Sequence, residues 1–135
     1  MTRTEGWELR LVAAIEAAQG RSWAWGKHDC CAFARSCVAA MTGGATPWDE
    51  HYTYGTEAEA EAIVGGGGLA RLLDAHATRC APRMAGRGDL AAVPSDYGPA
   101  GMTLGVVEGA WVWCAAPRGL ARVALDSAVT AWRIA

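Results

Sequence analysis

The chain is short of several things that would assign it quickly. Its five cysteines are an odd number and form no Cys-x-x-Cys pair, so neither a disulfide framework nor a zinc ribbon is expected. A zinc site from His28, Cys30, Cys31 and a strand cysteine matches no zinc template, and no metal or cofactor is expected. The basic residues are scattered and the formal net charge is -2. Without a basic stripe, no nucleic-acid partner is expected. Every long apolar run is broken by glycine or charge before bilayer length, so no membrane span is expected. Met1 to Glu5 reaches an acid before any apolar stretch, unlike a secretory signal. There is no internal repeat, linker or low-complexity tract. The four glycines Gly65 to Gly68 invite a phosphate-loop reading, but no Lys-Ser/Thr follows and a helical pattern precedes them. A helix–helix joint is the better account.

What is present suffices for one domain over residues 1–135. Over half of the chain, 52%, is hydrophobic, enough for a core and against disorder. The stretch around which the rest is arranged runs from Trp25 to Ala34 and reads as a tight turn feeding a helix. Gly26 permits the bend, and Asp29 is a good N-cap. Cys30 then falls in the first turn, where the helix end favours a thiolate. Phe33, Cys37, Val38 and Met41 follow at helical spacing. A cysteine presented this way is a candidate nucleophile.

Helices are expected first. Thr2 and Glu5 have capping-box spacing before a helix running to about Gln19, which Gly20 ends. A second helix covers Asp29 to Thr42, and Gly43-Gly44 stop it. Thr56 and Glu59 form another capping box before a short helix, and a further helix spans Leu69 to Ala77. After Pro82 the pattern turns to strands: Leu90–Val93, Thr103–Val107 and Trp111–Ala115, the last two a hairpin. Leu120–Leu125 and Trp132–Ile134 follow. Helices then antiparallel strands predict an α+β fold, with N-terminal helices packed on a small sheet formed by the C-terminal half.

The ordered set Trp25-Gly26, Asp29-Cys30, Gly88-Asp89-Leu90 and Leu104-Gly105-Val106-Val107 resembles the papain-like cell-wall peptidases of the NlpC kind. More closely, Trp25 to Cys30, Gly88-Asp89, Leu104 to Val106 and Ala131-Trp132-Arg133 resemble a small family encoded in phages, prophages and gene transfer agents. That resemblance implies a tail-associated virion protein, made in the host bacterial cytoplasm. Its implied partners are other tail-tip or hub proteins and peptidoglycan. NlpC-type peptidases carry their catalytic histidine where this chain has Thr103, and the region of the third polar group is Cys114-Ala115. Two of three catalytic positions therefore depart from the pattern.

The remaining residues carry alternatives. His28 is either an unorthodox base for Cys30 or a residue that bonds backbone and shapes the turn; Asp29 orients it or caps the helix. Cys30 is a reactive thiol or a small buried hydrophobe. His51 and His76 read as surface and helix-end residues, Asp89 as a turn cap, and Cys31, Cys37, Cys80 and Cys114 as packing. Trp48, Tyr52, Tyr54, Trp111 and Trp113 exceed the needs of one small core, and an exposed subset would mark an interface. Two functions follow from this reading. One is a structural docking subunit of a tail tip with a degenerate peptidase fold. The other is an active cysteine peptidase cleaving stem-peptide amides during cell-wall penetration, with Cys30 as nucleophile.

Overall fold

The computed structural model describes residues 1–135. Four helices come first: α1 (Trp7–Ala18), α2 (Cys30–Thr42), α3 (Glu57–Val64) and α4 (Gly68–Asp74). Six strands follow: β1 (Thr78–Cys80), β2 (Leu90–Pro94), β3 (Met102–Glu108), β4 (Trp111–Ala116), β5 (Gly119–Ala124) and β6 (Thr130–Arg133). They form one antiparallel sheet in the order β1-β6-β2-β3-β4-β5. The expected α+β class and the division into N-terminal helices and C-terminal sheet are what the chain adopts.

Local signals explain the middle helices. Asp29 caps α2, its side chain accepting from the Ala32 N–H, and Gly43 ends it in the left-handed conformation. Thr56 caps α3, accepting from the Glu59 N–H, and donates its hydroxyl back to the Glu59 carboxylate.

Two expectations fail for tertiary reasons. The Thr2–Glu5 box does not cap α1, which starts at Trp7 behind a left-handed Gly6. The preceding residues bond elsewhere: Arg3 N–H donates to the Ala135 carbonyl at 2.7 Å and Thr4 N–H to the Met41 carbonyl at 2.9 Å. The helix expected to reach Ala77 stops at Asp74, because Thr78–Cys80 pairs with the C-terminal strand β6. That three-residue strand has too few positions for alternation to reveal it.

The main core lies between α1, α2 and one sheet face, and contains Leu11, Phe33, Val38, Met41, Leu90, Leu104, Val106 and Trp132. Trp48 and Tyr52 are in it too, and the Trp48 indole N–H donates to the Leu72 carbonyl. Much of the aromatic surplus is therefore core. Ala91, Val93, Val107, Val112 and Cys114 form a smaller cluster with Leu125 and Ala131 on the other face. Trp111 is exposed at 41%, and the Arg122 guanidinium sits 4.4 Å from its ring centroid.

The Gly88-Asp89 turn ties both termini to the sheet. Asp89 is buried; Oδ1 accepts from Arg3 at 2.8 Å and from the Ile134 N–H at 3.0 Å, while Oδ2 accepts from the Gly86 N–H at 2.8 Å. Gly88 has φ 87°, and a Cβ there would lie 2.8 Å from Met41 Sδ, so both conformation and space require glycine. Removing the Asp89 carboxylate strands a buried backbone N–H and leaves Arg3 unpaired. Asp89→Ala is expected to lower the unfolding free energy by about 3 kcal/mol, read from urea denaturation. Asp89→Asn, which keeps one acceptor, is expected to lose less.

Candidate functional site

The start of α2 is built by a closed turn. The His28 N–H donates to the Ala24 carbonyl at 2.8 Å and the Ala24 N–H to the His28 carbonyl at 2.9 Å. Gly26 at the tip has φ 81°, and a Cβ there would lie 2.0 Å from the Tyr54 carbonyl oxygen. Asp29, fully buried, gathers the surroundings. Oδ2 accepts from the Gly26 N–H at 2.6 Å; Oδ1 accepts from the Ala32 N–H at 2.9 Å and from the Tyr54 hydroxyl at 2.7 Å. Turn, helix and aromatic loop thus meet on one carboxylate, which also sits at the positive end of the α2 dipole.

Cys30 is the first residue of α2. Its sulfur lies 3.9 Å from that of Cys31. On the side facing β4, Met102–Gly105 of β3 have no strand partner, since pairing begins at Val106. The Leu104 backbone N–H there is near enough to the Cys30 sulfur to favour its thiolate. The Cys31 thiol, as donor, lowers the Cys30 pKa; burial opposes this, the Leu104 N–H lowers it further, and the Asp29 charge raises it. The donors outweigh burial, and the Cys30 pKa is lower than that of a free thiol. Cys31 is pushed well above its ordinary value, first by that same hydrogen bond and then by burial. Cys37 and Cys114 are raised to about 12, chiefly by burial.

Cys30 and Cys31, both buried, are among the residues lining a cleft of about 220 Å³. Val64 of α3, Leu69 of α4, Ala92 of β2, Met102 of β3 and Trp132 of β6 line its walls. The Gly65–Gly67 turn and Ala100 line it as well. The joint expected between two helices is therefore also an edge of the cleft. No histidine, carboxylate, lysine or arginine lines it.

The sequence-predicted site residues separate accordingly. Cys30 is in the cleft. His28 is buried with Nε2 2.9 Å from the Gly119 carbonyl, and it lines a different hollow between α1 and α2 with Ala14 and Phe33. The structure does not bring His28 and Cys30 into one cavity. Asp29 makes its bonds to Gly26, Ala32 and Tyr54, and none to His28. His51 and His76 border a third groove beside Trp48. Thr103 pairs with Val93 and faces the smaller cluster, on the sheet face opposite Leu104, with its buried Oγ1 unpartnered. Sequence reasoning named Tyr54 only among the surplus aromatics and Leu104 and Trp132 only within the resembling motifs, and assigned none of them, nor the other cleft walls, to the site. Each reaches the site through long-range packing, which the local pattern does not record.

A family model described as a domain of unknown function (DUF6950) matches residues 2–134. The chain belongs to this family. Among solved structures, this DUF6950 chain is similar to the NlpC/p60 domain of the peptidoglycan hydrolase SagA. The TM-score is 0.53 at 18% identity, covering 93% of this chain and 97% of that one. No curated protein matches it. The fold is thus of the NlpC/p60 kind, in agreement with the resemblance read from Asp29-Cys30, Gly88-Asp89 and the Leu104 strand.

Among the buried thiols, the pKa values of Cys31, Cys37 and Cys114 are raised, and that of Cys30 alone is lowered. Its iodoacetamide alkylation is expected to rise through a midpoint below that of a free thiol, while Cys37 and Cys114 stay unmodified near neutral pH. Cys31→Ala removes the largest stabiliser of the thiolate and is expected to move that midpoint upward. Peptide mapping against pH checks both.

Proposed function

We propose that this chain is a degenerate NlpC-type domain serving mainly as a docking subunit in the tail tip of a phage or phage-like particle. The observation that carries the loss of hydrolysis is the cleft over Cys30, which no imidazole or carboxylate lines. Amide cleavage requires a base to take the thiol proton and an acid to deliver a proton to the leaving amine. Thr103 can do neither near neutral pH. The tail assignment is supported by the resemblance of Trp25 to Cys30, Gly88-Asp89, Leu104 to Val106 and Ala131-Trp132-Arg133 to the phage and gene-transfer-agent family. Its partners are then other tail-tip or hub proteins in the virion. The exposed Trp111, stacked by Arg122, is the kind of surface that such contacts use.

A second reading is an active cysteine peptidase acting on peptidoglycan stem peptides; the SagA neighbour is by its name a peptidoglycan hydrolase. It is favoured by the position of Cys30 at a helix start, inside a cleft, with its thiol pKa lowered. One experiment separates the two: digestion of purified peptidoglycan fragments by the wild type and by Cys30→Ala, read by mass spectrometry. The docking reading expects no new fragments from either folded protein, and particles carrying Cys30→Ala that assemble and infect normally. Fragments released by the wild type alone would establish the peptidase.

A further inference from the structure

The cleft above Cys30 is built for something without charge. Its walls at Val64, Leu69, Met102 and Trp132 are apolar, and no charged side chain lines it to pair with the carboxylates and amines of a stem peptide; its polar side chains are Thr130 and the two thiols. Its volume of about 220 Å³ is about seven times the share of one water molecule in the liquid, room for a chain of several carbons. One lining residue is held at a conformational cost. Ala100, with φ 55°, is the one non-glycine residue with positive φ in the chain. Such strain persists where surrounding structure over-determines it.

The absence of an imidazole or carboxyl group to deliver a proton restricts what a thiol there can displace. An amine leaving from an amide must be protonated. A thiolate leaving from a thioester needs no proton, so exchange requires only an attacking thiolate and access to the carbonyl. The Leu104 N–H and the Cys31 thiol lie against the Cys30 sulfur, where they support the thiolate before attack.

We infer that Cys30 is an acyl-acceptor site, taking the acyl group of a medium-chain acyl thioester while the alkyl chain lies in the apolar cleft. Cys30 gives its proton to solvent and its sulfur forms a bond to the carbonyl carbon. The tetrahedral oxyanion collapses and breaks the carbon–sulfur bond to the donor thiol. That thiol leaves with the electron pair and takes up a proton from water; nothing is oxidised or reduced. The inference goes beyond the docking reading and does not require it. The peptidoglycan digest tests that reading separately, so the two can fail independently.

The test uses the full chain incubated with octanoyl-coenzyme A, followed by intact-protein mass spectrometry and peptide mapping. The expected result is one octanoyl group on Cys30, removed by neutral hydroxylamine, absent from Cys30→Ala and retained in Cys37→Ala. Acetyl-coenzyme A, which cannot fill the cleft, is expected to react at least about tenfold more slowly. Ala70 of α4 also lines the cleft, and Ala70→Phe narrows it without replacing the thiol. It is expected to slow octanoyl transfer about tenfold while changing acetyl transfer little, a readout that does not depend on Cys30→Ala folding. No octanoyl adduct on the folded wild type would overturn the inference. Adducts spread over other thiols and lysines, or equal acetyl and octanoyl rates, would overturn it too.

Discussion

The carboxylate of Asp29 joins three parts of the chain that are not otherwise obliged to meet. Taking a charge out of water costs several kcal/mol, and Asp29 is fully buried. Donors from Gly26, Ala32 and Tyr54 and the positive end of α2 offset that cost. The compensation is geometric: each donor has to be where it is for the buried carboxylate oxygens to be paired. Gly26 fixes the turn, Ala32 the first turn of the helix, and Tyr54 the loop arriving from the end of α2. Cys30 follows Asp29 directly, so the same constraint sets the sulfur against β3. Asp89 does the equivalent work at the opposite end of the fold, holding the Gly86 turn, Arg3 and the C-terminal strand. Two buried aspartates thus fix the site and the closure of the chain.

The chemistry of Cys30 follows from two opposed effects at one atom. Burial disfavours a thiolate, and the Cys31 thiol and Leu104 N–H favour it strongly enough to lower its pKa. At Cys37 and Cys114, burial has no such opponent and the thiols are pushed up to about 12. A sulfur supported by hydrogen bonds rather than by an imidazole has a nucleophile's charge without a proton carrier. The NlpC/p60 fold therefore frames the site without determining its reaction, which depends on the few groups that reach the cleft.

Much of the architecture is local in origin and was legible. The Asp29 cap, the Thr56–Glu59 box, the glycine stop at Gly43 and the β3–β4 hairpin each depend on contacts a few residues apart, which spacing records. The start of α1 and strand β1 were not legible. Thr4 bonds Met41, Arg3 bonds Ala135, and Thr78–Cys80 pairs with Ala131–Arg133; each choice is made by a distant partner. The aromatic surplus had the same difficulty, since composition does not say that Trp48 enters the core while Trp111 stays outside it.

The sequence by itself determined the α+β class, the placement of Cys30 at a helix start, the absence of a histidine at Thr103, and the turn at Gly88-Asp89. These rest on backbone preferences and on interactions between near neighbours, whose energies do not depend on the rest of the chain. Only the tertiary structure decided which groups reach the sulfur. It turned His28 toward Gly119 and away from the cleft, set Leu104 against Cys30, and lined the space above with apolar side chains from α3, α4, β2, β3 and β6. Those relations exist only once residues far apart in the chain are packed together, because packing fixes which side chain fills a given volume and which polar atom remains to be paired.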